Sequence, residues 1–238
     1  MFLGYISNPI SSGVRSVLRY LVEHKHVSVI VTSTGGIQED LVKCIVNWYM
    51  GEFNTSDAPL RSHELNRICN LLVPRKNYCS FEDWVLHILD KILEEEEVEK
   101  DTEEKINWTP SKIIHRLGKR SSTSTRPAIR YVRTKSQYFV GHLMDGILGN
   151  IIYFHTFKSS PLRLKVDIVQ DIRRINTLAI FSKRVGMIIL GGGVIKHHIA
   201  NAWLMRMDLR AHCTLTLIKN LMVVMQVRAR TKRELGQD

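Results

Sequence analysis

Gly186-Met187-Ile188-Ile189-Leu190 is followed by Gly191-Gly192-Gly193 and then by Val194-Ile195-Lys196-His197-His198. Four apolar residues closed by glycines predict a short strand buried on both faces, and the stretch from Val194 to Met205 predicts a helix. Strand, small-residue turn and helix make the crossover unit of a parallel sheet. The same grammar occurs twice near the start of the chain. Phe2-Leu3-Gly4-Tyr5-Ile6 runs into Ser7-Asn8-Pro9-Ile10-Ser11-Ser12-Gly13, and then Val14, Val17, Leu18 and Leu21 recur at helical spacing. Val27-Ser28-Val29-Ile30-Val31 is short and β-branched, Thr34-Gly35-Gly36 breaks it, and Ile37, Leu41, Ile45 and Val46 supply a helix face. An α/β fold follows, with parallel strands near Phe2, Val29 and Ile188.

The chain has 238 residues, 44% of them hydrophobic, which suffices for a buried core and excludes wholesale disorder. No apolar run approaches the ~18 residues a membrane span needs, and Met1-Phe2-Leu3-Gly4-Tyr5 shows no secretory signal. Cys44, Cys69, Cys79 and Cys213 have no CxxC or metal-ligand spacing, so reduced thiols in a cytoplasmic chain are expected. The net charge of +11 is local. Residues 119–135 carry +6 and residues 203–238 carry +4, which leaves +1 for the rest. Neither basic stretch interleaves its charge with aromatics on a structured element, so no nucleic-acid partner is expected.

Between these landmarks, Asn47 to Asp83 reads as loop-rich, and Phe81 to Leu93 as an amphipathic helix entering the solvated acid run Glu94-Glu95-Glu96-Glu97. Trp108-Thr109-Pro110-Ser111 reads as a helix start, with the helix continuing through Leu117. Asp167 to Val185 has a helical pattern.

Small residues at the three junctions, Ser7 to Gly13, Ser33 to Gly36 and Gly191 to Gly193, let backbone N–H groups approach a phosphate, and a helix N-terminus favours the negative charge. None is a GxGxxG, and tight turns alone also call for glycine. Together in one open sheet they point to a dinucleotide at the carboxyl edge of the strands. His197 and His198 are about 100° apart on a helix and cannot both face one ion, so no metal site is expected. One of them can act as a base towards an amine or hydroxyl, or cap backbone at the helix start.

Several stretches resemble the deoxyhypusine synthase family: FLGYISNPISSGVR, YLVEH, VTSTGGIQEDLVKC, GEF, NRICNLLVP, NYCSFEDW, WTPSKII, RLGK, DGILG, VDIVQDIRRINTLAIF and GMIILGGGVIKHHIANA. They cover most of residues 1–118 and 144–202. The resemblance implies a Rossmann-like sheet with flanking helices in a homotetramer built from dimers; a non-catalytic or degenerate relative would at best pair with an intact subunit. It also implies an NAD-dependent transfer of the aminobutyl group of spermidine to a lysine of a translation initiation factor precursor, through a catalytic lysine of the enzyme. The family's NAD contacts fall here on Ser7, Asn8, Pro9, Ile10 and Ser11, on Ser33, Thr34 and Gly35, and on Glu39, Asp145 and Gly193. Its amine-binding positions fall on Gln38, Glu39, Asn150 and His198, with His198 as the base-like catalytic residue.

Departures from the family pattern lead to an expectation of lost activity and of weak or lost NAD binding. The chain starts inside the family's length, so the arm that closes a neighbouring site is expected to be missing. Gln38 and Asn150 stand where the family has carboxylates, and each charge-assisted hydrogen bond to a polyamine is worth about 1.5–3 kcal/mol. The segment Asn-Thr-Ala-Gln-Glu-Phe-Asp-Gly-Ser-Asp and the Trp-Gly-Lys that holds the catalytic lysine are not found. Codons for Cys213 to Val227, read from each third base, permit Tyr-Ile-Asn-Thr-Asp-Gln-Glu-Phe-Asp-Gly-Ser-Asp-Ala-Gly, with Gly forced over Met222-Val223 and Ala forced over Met225-Gln226. Lys135-Ser136-Gln137-Tyr138 permits a weaker match of the same kind. The sequence thus divides into a partial NAD-binding domain over 1–205, with an insert-like divergent segment at 119–143, and a basic, disordered tail over 206–238.

Overall fold

The structure, a computed structural model, describes residues 1–45, 47–98, 107–121, 137–140, 143, 146–159, 164–182, 186–206, 211–218 and 222–229. Strand β1 (Phe2–Tyr5) is followed by the single turn α1 (Asn8–Ser11) and helix α2 (Arg15–Glu23), which buries Leu18 and Val22 one turn apart. Strand β2 (Val29–Thr32), buried at every position, leads into α3 (Thr34–Ile45). Then come β3 (Tyr49–Met50), α4 (Asp57–Ser62), β4 (Leu65–Ile68), β5 (Leu71–Pro74) and the long helix α5 (Arg75–Val98). The second half holds α6 (Pro110–Ser121), β6 (Gln137–Val140), α7 (Ile147–Lys158), α8 (Ile168–Phe181), β7 (Met187–Leu190), α9 (Gly193–Leu204), β8 (Ala211–Ile218) and β9 (Met222–Ala229).

The main sheet runs β6-β2-β1-β7-β8-β9. Phe2 pairs in parallel with Val29 on one side and Met187 on the other, as the three strand-turn-helix units require. Side chains alternate between its faces. Leu3, Tyr5 and Ile30 face a core built with α2, α3, α5, α6 and α7, including Leu18, Leu41, Phe81, Leu89, Ile113 and Leu148. Phe2, Val29, Val31, Met187 and Ile189 face Ile175 and Ala179 of α8 and Ile195, Ile199 and Trp203 of α9. Trp203 meets the ring of Phe2 edge to face at 5.7 Å. Helix α9 also sits close over Gly4: a Cβ there would lie 2.6 Å from Ile199 Cδ1 and 3.0 Å from Ile195 Cγ2.

Three expectations are corrected. Asn47 to Asp83 is not mainly loop, because β3, β5 and β4 form a small antiparallel sheet. Segment 119–143 is not simply an insert, because Gln137–Val140 pairs in parallel with β2 and buries Phe139 completely. The tail is not without order over 211–218 and 222–229. β8 joins β7 in parallel and β9 folds back antiparallel on β8. The physical reason is common to the last two: an open sheet edge offers unpaired N–H and C=O groups, and both segments are rich in β-branched and other β-forming residues. The acid run is the end of α5, where Glu95 pairs with Arg116 of α6.

Helix α6 starts at Pro110, which suits a first helical position. Its cap comes from α8: Asp171, buried, accepts from Ser111 N at 2.8 Å and from Ser111 Oγ at 2.6 Å. Among the described residues, no helix is long and apolar enough to cross a membrane.

Candidate functional site

Counted in chain order, the parallel strands β1, β2, β6, β7 and β8 lie in space as third, second, first, fourth and fifth. The direction of winding reverses between β1 and β7. In open α/β sheets ligands bind outside the carboxyl ends of the strands at such a reversal. Tyr5 ends β1 opposite Thr32 and Leu190, so the three junctions noted in the sequence stand side by side.

Local contacts draw them together. Ile6 N donates to Leu190 O at 3.3 Å. A Cβ on Gly35 would lie 3.2 Å from Ser7 Cβ and 3.6 Å from Ser33 Oγ, so Ser7, Ser33 and Gly35 are immediate neighbours. Ser33 Oγ accepts from Gly36 N at 3.3 Å at the start of α3. Gly193 opens α9 with φ +64, a conformation costly for any residue with a Cβ. Among the described residues, nothing lies within 4 Å of the place a Cβ would take at Gly192 or Gly193.

Below this edge, α1 and α3 are tied together. Ser11 Oγ donates to the carboxylate of Glu39. Burial pushes the Glu39 carboxyl above its ordinary range, against the pull of the Ser11 bond and of the Lys43 charge. Lys43 Nζ donates to Ile10 O at 3.0 Å and Ser11 O at 2.5 Å. Burial lowers its pKa, as does nearby Arg15, while Glu39 and Asp40 raise it. Tyr78 is pushed up to about 12 by burial and by Glu39. Lys43 and Tyr78 were not singled out in the sequence. The available signal for Lys43 was its spacing of four from Glu39 on one helix.

The other expected residues lie on neighbouring elements. Gln38 turns its Oε1 to α7, accepting from Ile147 N at 2.8 Å and Leu148 N at 3.3 Å. Asn150, exposed, is in the first turn of α7. Asn8, Pro9 and Ile10 belong to α1, with Pro9 and Ile10 buried and Asn8 exposed. His198 is half-buried in α9 and its neighbour His197 exposed, so the two point apart. Asp145 lies outside the described residues. No group of three or more His, Cys, Asp and Glu that could hold a metal ion occurs among the described residues.

The edge has the form a dinucleotide needs. Open space stands over Gly192 and Gly193 where a side chain would intrude, and the N-termini of α3 and α9 both present backbone N–H groups at the same sheet edge. Ser7, Ser33 to Gly35 and Gly193 are the residues at this edge that could hold such a group.

Comparison with known proteins agrees with this architecture. The family model for deoxyhypusine synthase matches residues 1–220, running past Met205 into β8. A deoxyhypusine synthase of Neurospora crassa is 60% identical over 208 residues, which is 87% of this chain and 58% of that protein. The Saccharomyces cerevisiae enzyme is 51% identical over 218 residues, covering 87% of this chain and 56% of its own length. The chain thus spans somewhat more than half the length of these curated relatives. Among solved structures, an Entamoeba histolytica protein assigned to deoxyhypusine synthase superposes with a TM-score of 0.62 at 33% identity, covering 82% of this chain and 60% of that one. With a family model spanning residues 1–220 and its parallel sheet reversing at β1 and β7, this chain belongs to the deoxyhypusine synthase family.

Proposed function

We propose that this chain is a deoxyhypusine synthase-type NAD-binding protein that has kept the cofactor edge and lost aminobutyl transfer. The observation that carries the reading is the meeting of Ser7, Ser33 and Gly35 beside the Gly193 opening at the point where the sheet reverses. Bound there, NAD would supply a hydride acceptor. Thr34 and Gly35 at the start of α3 and Gly193 at the start of α9 would receive its phosphates on backbone N–H groups. Spermidine is the amine the family relation implies. Glu39 has one oxygen on Ser11 Oγ and a carboxyl that burial holds towards the protonated form, so it suits a site where a proton is exchanged with an amine. His198, half-buried on α9, would take a proton from the amine on the opposite side of the edge.

Loss of transfer rests on residue identities. Gln38 and Asn150 offer no charge to a polycation, and the Gln38 oxygen is occupied by α7. In residues 213–227 the family's segment is legible only in another codon frame, and neither Lys219 nor Lys232 has the Trp-Gly neighbours of the catalytic lysine. The initiation factor precursor would then have no group to receive from this chain.

Pairing with an intact subunit is a second reading, favoured by the outer face of α7. Tyr153, Phe154 and Phe157 are each more than half exposed there, and both phenylalanines meet Tyr153 edge to face. Titration calorimetry with NAD, together with an assay for label transfer from spermidine to the initiation factor precursor, tests the main reading. It expects measurable NAD binding and no transfer. Transfer at a rate typical of the family, or no NAD binding, overturns it.

A further inference from the structure

Helix α1 is a single turn, and an isolated turn of helix does not hold its shape in water, because nucleation fixes several dihedrals for one hydrogen bond. Each of its four carbonyls nevertheless has a donor. Ser12 N serves Asn8 O at 2.9 Å and Ser12 Oγ serves Pro9 O at 3.0 Å. The remaining two, Ile10 O and Ser11 O, both go to the ammonium of Lys43. That ammonium also lies 4.7 Å from the centre of the Trp48 ring, which closes over it. One turn earlier on α3, Glu39 takes the Ser11 hydroxyl. At the other end of α1, Gly35 in the first turn of α3 lies against Ser7. Helix α3 therefore braces this turn at both ends, with Gly35 at Ser7 and with Lys43 and Glu39 at Ser11.

We propose that Lys43 is a positioning residue: it fixes the turn from Ser7 to Ser12 in the shape against which Ser33 and Gly35 close, and so sets the affinity of the dinucleotide edge without touching the ligand. The inference rests on the NAD reading above. The cation is suited to the task because the end of a helix carries partial negative charge and two carbonyls converge there. A neutral side chain of equal length leaves both carbonyls without a donor in a partly buried place.

Hydrogen exchange and NAD titration on the full chain test this together. In Lys43→Met, the amides of Ile10, Ser11 and Ser12, which the turn itself protects, should exchange about tenfold faster. Protection in β1, β2 and β7 should stay as in the parent. The NAD Kd should rise about tenfold. Lys43→Gln, a milder change that keeps one donor, should fall between parent and Lys43→Met, and it serves if the methionine variant fails to fold. Lys43→Arg, which restores the charge and the donors, should recover most of the loss. Unchanged exchange at Ile10 to Ser12 in the neutral variants overturns the brace, and faster exchange with an unchanged Kd overturns its link to the ligand. If the parent binds no NAD, the functional reading and that link fall together, and the exchange measurement still decides the brace.

Discussion

Replacing Gln38 by methionine keeps the length of the side chain and removes an acceptor that joins α3 to the start of α7. Gln38 Oε1 serves Ile147 N at 2.8 Å and Leu148 N at 3.3 Å. The first is a normal bond and the second a long one. Net values for buried bonds of this kind are about 0.5–1.5 kcal/mol, so the pair together stabilises by about 1–2 kcal/mol. Water can replace part of the loss, because the site is only partly buried. Gly146, with φ +135 and its missing Cβ 2.6 Å from the same Oε1, leaves no room for another capping side chain from the preceding residue. For a chain of this size the change corresponds to a fall in Tm of about 2–8 °C. Differential scanning calorimetry reads the fall, and hydrogen exchange at Ile147 and Leu148 locates it. Gln38→Glu, which keeps an acceptor and adds a charge suited to a helix N-terminus, should hold the Tm near the parent at neutral pH. A methionine variant within about 1 °C of the parent, with exchange at both amides unchanged, would refute the cap.

Asp171→Ala removes the carboxylate that accepts from Ser111 N and Ser111 Oγ and should cost about 1–3 kcal/mol, read as a lower midpoint in urea unfolding; an unchanged midpoint would mean that α6 does not depend on this cap. Gly193→Ala forces a side chain into φ +64 and into the open space over α9, so it should lower the Tm by about 2–8 °C and abolish NAD binding in titration calorimetry; unaltered binding would place the cofactor elsewhere. Because the folded protein holds the Glu39 proton more tightly than the unfolded chain, stability from this group is full at acid pH and declines as pH rises through its folded pKa. Glu39→Gln should flatten that decline relative to the parent, and an equally steep profile in both proteins would exclude Glu39 as its source.

The parallel pairing of β1, β2 and β7 was legible because each strand is a short apolar run ended by small residues and followed by a helical pattern. Their adjacency at a reversal of winding was not legible, because no local pattern says on which side of β1 the distant strand β7 will pair. The order in 211–218 and 222–229 was missed for a different reason. An argument about codon frames concerns what a segment was selected for, whereas a strand at a sheet edge needs only β-forming residues and a free row of backbone groups. At the candidate site, glycines and serines were visible as turn residues. The roles of Lys43 on α1, Gln38 on α7 and Asp171 on α6 were hidden because each side chain serves the backbone of another helix.

Helix α9 rests on the sheet where strand β1 has no side chain, at Gly4. The absent methyl works as a shim: its thickness sets how low the helix rides, and everything mounted on that helix inherits the setting. Gly193 and His198 both belong to α9, so the height of the edge and the reach of the imidazole are gauged from beneath, by a residue that faces away from any ligand. With alanine at position 4, Ile195 and Ile199 would have to give way by several tenths of an ångström. What those two side chains could not absorb would pass to the helix and so to the rim it carries, a change of tolerance in the foundation that no inspection of the rim alone would trace to its origin.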